Sequence, residues 1–142
     1  MREILFRGKR VDNGEWVKGA YGKHTSFDAM IMDRPYPTIN GDLSALNFWV
    51  VDPTTVGQYT GLTDKNGVKI FEGDIVREKY FNDFYIGKVV FNKKTAGFEV
   101  WHDIVVGAYG EKATRKENFA TCGRLEVIGN NSRHPRIVGE KQ

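Results

Sequence analysis

Carboxylates are the side chains of this sequence with the clearest potential for chemistry, and three of them fall close together: Asp64, Glu72 and Asp74. Acidic groups at the end of a hairpin can hold a divalent ion, and such a site could serve a hydrolase. The same residues are ordinary turn formers, because an Asp at a hairpin tip and a Glu-Gly-Asp corner accept backbone N–H bonds. The turn role is the favoured interpretation of all three.

The other conventional ligands and nucleophiles are His24, His102, His134 and Cys122. They do not lie at metal-ligand spacings such as C-x-x-C or H-x-x-x-H, and separate surface histidines are the favoured interpretation. The Thr-Cys-Gly context of Cys122 is not a nucleophile motif, so a small buried thiol is favoured there. Phosphate-binding glycine motifs are absent. The sequence therefore predicts a protein that is not an enzyme, with no catalytic residue, no cofactor and no metal.

A binding surface is the remaining candidate for function. Four aromatic side chains fall within residues 80–85, on a presumed loop, and aromatics at this density are expected to be covered. The N-terminal hairpin or another subunit is the favoured cover, whereas nearby lysines and C-terminal arginines suggest nucleic acid as the alternative. The candidate binding surface consists of Tyr80, Phe81, Phe84, Tyr85, Lys88, Lys93, Lys94, Arg133 and Arg136.

Length and composition indicate an ordinary folded protein of 142 residues, either one domain or two small β units. The single cysteine precludes an intramolecular disulfide and suits a reducing compartment. The first residues lack the pattern of a signal peptide, and no stretch approaches the ~20 apolar residues of a membrane helix. We therefore expect a soluble, intracellular protein that has no membrane partner.

Charge is concentrated at the C-terminal end. Residues 111–142 carry seven basic and four acidic side chains, which accounts for the whole net charge of +3. A basic tail can dock on nucleic acid or on an acidic partner, although a solvated end is the favoured interpretation.

Two Asn-Gly pairs predict β-hairpins, because this pair tolerates positive φ at both central positions of a type I′ turn. A two-residue loop at Asn13-Gly14 would place Phe6 opposite Tyr21 and would put Val17 on the same face as both. A similar two-residue loop is expected at Asn66-Gly67. Both pairs favour an antiparallel β architecture.

Other segments are assigned from their content of β-branched, aromatic and turn residues. A variable loop with one strand is expected over 24–47, a helical turn at 56–58, and either a short surface helix or a loop over 111–120. Further strands are predicted at 29–32, 48–51, 75–77, 87–91, 97–101 and 124–128.

The predicted fold is mainly β with little helix, at most classed α+β. Short strands that begin at glycines favour a small, strongly bent SH3-like β-barrel, with an N-terminal β-hairpin unit packed on it. The predicted organisation is a β unit with a variable loop over 1–54, the SH3-like barrel over 55–130, and a basic C-terminal tail over 131–142.

A family resemblance rests on the segment T-V-G-Q-Y-T-G-L-T-D-K-N-G-V-K-I-F-E-G-D-I-V at 55–76. This segment resembles the signature block of the phage and prophage YopX family, and residues 1–8 and 126–130 are similar to its opening and closing strands. Residues 131–138 depart from the family, because they are basic where an acidic Asn-Pro-Glu-Leu-like segment is usual. The resemblance implies a mostly β, SH3-like structure in the host cytoplasm, and no established activity.

The sequence does not define a reaction. The leading hypothesis is a non-enzymatic phage or prophage accessory protein of unknown function that acts by binding to a host or phage protein and as a homo-oligomer. The first alternative is a nucleic-acid-binding module that uses the lysines and tail arginines. The second alternative is a hydrolase with a carboxylate metal site.

Overall fold

The computed structural model describes residues 2–106, 109–118 and 123–130. Within them the chain is nearly all β-strand, with only a short 3₁₀ turn at 123–124, so the mainly β prediction is confirmed. The strands are β1 Phe6–Arg10, β2 Trp16–His24, β3 Phe27–Pro37, β4 Leu43–Thr63, β5 Lys69–Phe71, β6 Asp74–Tyr80, β7 Asp83–Asn92, β8 Gly97–Val106, β9 Glu111–Glu117 and β10 Leu125–Asn130.

The strands form two antiparallel sheets, and the chain divides into two compact units, Met1–Tyr59 and Thr60–Gln142. The first sheet has the order β1-β2-β3-β4-β5, and β1 also pairs with β4. Because β1 is hydrogen-bonded on both sides, it presents no free edge. The second sheet has the order β10-β6-β7-β8-β9, with β10 and β9 at its two ends.

The hairpin at the N-terminus is confirmed, but its predicted register is wrong by two residues. Phe6 lies opposite Gly19, and the Arg10 N–H donates to the Glu15 carbonyl, so the loop has four residues. Of the Asn-Gly pair only Gly14 has a positive φ, which excludes a type I′ turn. A shift of two residues leaves each side chain on the predicted face of the hairpin. The rings of Phe6 and Tyr21 therefore still lie close together, 5.5 Å apart, beside the core of the first unit.

The first unit has its core in Ala29, Ile31 and Val51, which are buried completely or nearly so. The strand prediction at 29–32 is confirmed within β3, whereas the helical turn predicted at 56–58 is wrong because β4 continues through it and pairs with β1. The Asp-Pro-Thr-Thr segment does not end the strand. The Asp52 carboxylate accepts hydrogen bonds from both the amide and the hydroxyl of Thr54, which holds an irregular but extended backbone.

Two segments of the second unit differ from their predictions. The segment 111–120, predicted as a helix or loop, contains strand β9, which pairs with the unexpectedly long β8 along its length. The aromatic segment predicted as a loop is the tip of the β6–β7 hairpin, whose turn is only Phe81 and Asn82. The low apolar content of β9 does not prevent strand formation, because a strand at the end of a sheet buries little of its surface and its conformation is determined by pairing with its neighbour.

The described part of the second unit contains a cluster of buried apolar side chains against which Val127 packs: Ile70, Val76, Val89, Val100 and Leu125. Strand alternation and the register place Glu78, His102 and Glu117 on the same sheet face as this core. Within the described residues no helix has the length and apolar content to cross a membrane.

Candidate functional site

The carboxylate of Asp64 is buried and holds backbone together. Its Oδ1 accepts N–H bonds from Asn66 and Val68 at 2.8 and 2.9 Å, and its Oδ2 accepts one from Val127 at 3.0 Å. Burial raises the pKa of this carboxyl, but the three donors outweigh burial, so the pKa lies below its usual value. The hairpin loop that contains Asn66 and Gly67 has three residues, whereas the sequence predicted two, and φ is positive at Gly67 but not at Asn66. Asp64 therefore fastens the hairpin tip to β10.

The Glu72-Gly73-Asp74 corner has similar chemistry. The buried Asp74 accepts the Phe71 N–H at 2.8 Å across the corner, and Gly73 takes a φ of 91°. Burial raises the pKa of the half-buried Glu72, and the charge of Lys88 offsets part of this rise. These hydrogen bonds give Asp64 and Asp74 structural roles.

An exposed aromatic surface lies at one end of the second sheet. Phe81 and Phe84 are 82% and 53% exposed, and the Arg77 guanidinium lies 4.9 Å from the Phe84 ring centre. Because β7 and β8 are antiparallel, the β6–β7 turn and the β8–β9 connection lie at the same end, where Tyr109 is 93% exposed. We call Phe81, Phe84 and Tyr109 the aromatic end.

Sequence reasoning missed Tyr109, although a single tyrosine in a glycine-rich connection offers little signal. The Phe81 backbone has a φ of 54°, in the left-handed region that bulky residues rarely adopt. Positive φ at the first central residue of a two-residue hairpin turn is normally supplied by glycine.

Four of the predicted surface residues lie in the described part of the chain but do not join the aromatic end: Tyr85, Lys88, Lys93 and Lys94. Tyr85 points to the core face, where its ring lies 6.3 Å from that of His102, and Lys88 is half-buried. Lys93 and Lys94 are exposed at the opposite end of β7, roughly 30 Å away at ~3.3 Å per residue over this ten-residue strand. The side chain of Tyr80 and all of Arg133 and Arg136 lie outside the described part of the chain.

A second cluster lies on the core face of the same sheet. Glu78, His102 and Glu117, from β6, β8 and β9, each offer one ligand atom, and these atoms all lie within 4.8 Å of one another. Glu78 and His102 are only 6% and 2% exposed, and Glu117 is partly open to solvent. The cluster continues the apolar core surface, so its carboxylates and imidazole are held close to buried valine and leucine side chains.

The histidine of this cluster is buried, and within the described part of the chain neither of its ring nitrogens has a hydrogen-bond partner. Its Nε2 lies 3.6 Å from Glu117 Oε2, which is too long for a hydrogen bond. On its other side the ring lies over Gly87, where an added Cβ would meet His102 Nδ1 at 2.8 Å and Val100 Cγ1 at 2.7 Å. A glycine at this position therefore makes room for the imidazole.

Two arginines neutralise the outer oxygens of the cluster. Arg124 Nε lies 3.2 Å from Glu78 Oε1, and Arg115 Nη2 forms an ion pair with Glu117 Oε1. The Oε2 of Glu117 remains directed toward His102. Such an arrangement can hold a cation or a proton between the carboxylates and the imidazole.

The three cluster residues were not grouped by sequence reasoning, because they lie on three different strands without a local motif. One signal was present. His102 follows the apolar Val100 by two residues in a strand, as Glu78 follows Val76, so alternation places both polar side chains on the core face. Polar residues at core-facing positions are the pattern that could have identified this site.

Together these features define an all-β protein of two antiparallel sheets, with a buried carboxylate–histidine cluster and an exposed aromatic end. Residues 5–137 match the family model described as YopX protein, and the chain therefore belongs to the YopX family. A similar solved structure is that of protein EF1440 from Enterococcus faecalis, with a TM-score of 0.57 and 19% identity over 96% of this chain and 98% of that one. At this identity the likeness concerns the fold alone. No curated protein matches the sequence.

Proposed function

We propose that this chain is a non-enzymatic, phage- or prophage-encoded binding protein of the host cytoplasm that self-associates through its aromatic end. The proposal includes an SH3-like character for the second unit and a host or phage protein as a further partner. The observation that carries it is the exposed Phe81 in a left-handed backbone conformation.

Phe81 is unfavourable for the isolated chain in two ways. Left-handed backbone at a bulky residue costs on the order of 1 kcal/mol, and a ring that is 82% exposed leaves apolar surface in water. Glycine would remove both costs in a two-residue turn. Strained residues of this kind concentrate at functional sites, so a contact made by the ring is the best account of its presence.

A second copy of the chain is the partner to which we commit. The end strand β9 has the sequence E-K-A-T-R-K-E, and charges of this density oppose edge-to-edge strand pairing. The aromatic end is the alternative contact surface, and two identical aromatic ends are complementary in a symmetric, two-fold interface. Lys88 lies within β7 and is half-buried, whereas Lys93 and Lys94 lie beyond the end of that strand, so these three lysines do not form a shared surface that would support a nucleic-acid groove.

The experiment is a measurement of particle mass by light scattering during size-exclusion chromatography. The wild type is expected to elute as an oligomer, and Phe81→Asp and Phe84→Asp are expected to elute as monomers with unchanged circular dichroism. Phe48→Asp is the matched control, because Phe48 is 55% exposed on the other unit and should leave the mass unchanged. A monomeric wild type, or an oligomer that survives both substitutions, would refute self-association at this surface.

A further inference from the structure

The cluster of Glu78, His102 and Glu117 is not explained by self-association, because it lies on the core face of the sheet. A purely structural ion-pair network would be expected to satisfy its members. Instead, the imidazole of His102 is nearly fully buried, and neither nitrogen has a hydrogen-bond partner among the described residues. A buried polar group without a partner destabilises the folded chain, so its presence requires an explanation.

A hydrogen bond between His102 and Glu117 does not explain the cluster, because the 3.6 Å between Nε2 and Glu117 Oε2 exceeds a charge-assisted hydrogen bond by almost 1 Å. A metal ion bound by both of these atoms fits their separation better. Ligand atoms at about 2.0–2.1 Å from Zn²⁺ lie about 3.4 Å apart at the corners of a tetrahedron.

The surroundings resemble the outer layer of a metal site. Carboxylates that bind metal are usually held by further hydrogen bonds, and Arg124 and Arg115 contact one oxygen of Glu78 and Glu117 respectively. These arginines offset part of the negative charge of the two carboxylates. The partly open Glu117 provides an approach from solvent, and a fourth position would be left for water.

We propose that Glu78, His102 and Glu117 bind one divalent transition-metal ion, of the class represented by Zn²⁺, through Nε2 of the histidine and one oxygen of each glutamate. One nitrogen and two oxygen ligands suit Zn²⁺ and its first-row neighbours, whereas Mg²⁺ prefers oxygen ligands throughout. The site is independent of the proposed self-association, since none of its ligands belongs to the aromatic end.

The test is calorimetric titration of the untagged, chelator-treated full chain with ZnCl₂, together with its melting temperature in Zn²⁺ and in Mg²⁺. One Zn²⁺ per chain is expected, with a rise in melting temperature that Mg²⁺ at the same concentration does not match. His102→Gln and Glu117→Gln should each weaken binding at least tenfold. The matched control is the triple variant His24→Gln/Cys122→Ser/His134→Gln, which removes every other histidine and the cysteine and should bind as the wild type does.

Glu117→Gln keeps the test decisive if His102→Gln does not fold, because Glu117 is partly exposed and its amide conserves the shape. Visible absorption of bound Co²⁺ gives a second measurement, and its spectrum should change in Glu117→Gln. Absence of Zn²⁺ binding by the wild type would overturn the proposal. So would binding that survives in Glu117→Gln and is lost in the triple variant, or a larger thermal shift with Mg²⁺ than with Zn²⁺.

Discussion

Replacement of Asp64 by alanine tests whether the carboxylate in the family signature segment is structural. The substitution removes the acceptor of three backbone N–H groups. Hydrogen bonds to a charged group contribute roughly 1.5–3 kcal/mol each when the surroundings exclude water. Asn66 and Val68 are exposed, so water can replace the carboxylate there at a cost of about 0.5–1 kcal/mol each.

The bond to Val127 decides the magnitude. Val127 is half-buried and adjoins the irregularity in the β10–β6 pairing, so removing the acceptor of its N–H should lower the free energy of unfolding by about 2 kcal/mol. The free energy of unfolding of Asp64→Ala should therefore fall by about 3–4 kcal/mol, a decrease of about 10 °C in melting temperature for a chain of this size. Asp64→Asn retains Oδ1 but presents an N–H₂ group to Val127, so it should lose about 2 kcal/mol.

Urea denaturation followed by circular dichroism measures these differences. Asp28→Ala is the control, since Asp28 is an exposed strand residue and its loss should change the unfolding free energy by less than about 0.5 kcal/mol. A loss below about 1 kcal/mol in Asp64→Ala would show that the three bonds do not hold the hairpin tip to β10. A loss in Asp64→Asn that is much smaller than half of the loss in Asp64→Ala would show that the Val127 bond is not the dominant contribution.

Three further predictions follow from the same geometry. Because the pKa of Asp64 is lowered in the folded chain, the stabilisation that its carboxylate provides is present above about pH 4 and is lost as the pH falls below that value. The difference in unfolding free energy between the wild type and Asp64→Asn, measured by denaturation, should therefore become smaller in acid. Phe81→Gly should raise the unfolding free energy by about 0.5–1 kcal/mol while it weakens self-association, and a lower melting temperature would contradict the strain at this turn. Gly87→Ala should destabilise the chain by about 1–3 kcal/mol and weaken Zn²⁺ binding, because the added methyl displaces the ring of His102. If titration calorimetry gave the same Zn²⁺ affinity for this variant as for the wild type, it would refute the packing of that ring against Gly87.

The sequence predicted secondary structure best where local chemistry decides it. The content of β-branched, aromatic and turn residues identified strands that lie within β7 and β8, and it placed the β10 strand within two residues of its observed bounds. The hairpin loops were predicted in the right places but with the wrong length, because an Asn-Gly pair is compatible with longer loops that need positive φ only at the glycine. Strand β9 was missed because its pairing with β8, rather than its own composition, determines its conformation.

The candidate site was less accessible to sequence reasoning than the fold. The aromatic segment was recognised, but the assignment of Tyr85 to the core face depends on its pairing with Glu78 across β6 and β7. Lys88 lies on β7, and Lys93 and Lys94 lie just beyond its end, so the length of this strand separates Lys93 and Lys94 from the β6–β7 turn. The grouping of Glu78, His102 and Glu117 depends on the register of three strand pairs, and a shift of one residue in any of them would move side chains to the opposite face of the sheet.

The central claim, self-association through the aromatic end, is tested most directly by hydrogen exchange of the wild type at two protein concentrations. Amide exchange reports which backbone segments become protected as the oligomer forms. The account predicts slower exchange at the higher concentration in peptides that cover residues 77–86, and unchanged exchange in β1–β3. Exchange that is independent of concentration at residues 77–86, or protection confined to β1–β3, would contradict it.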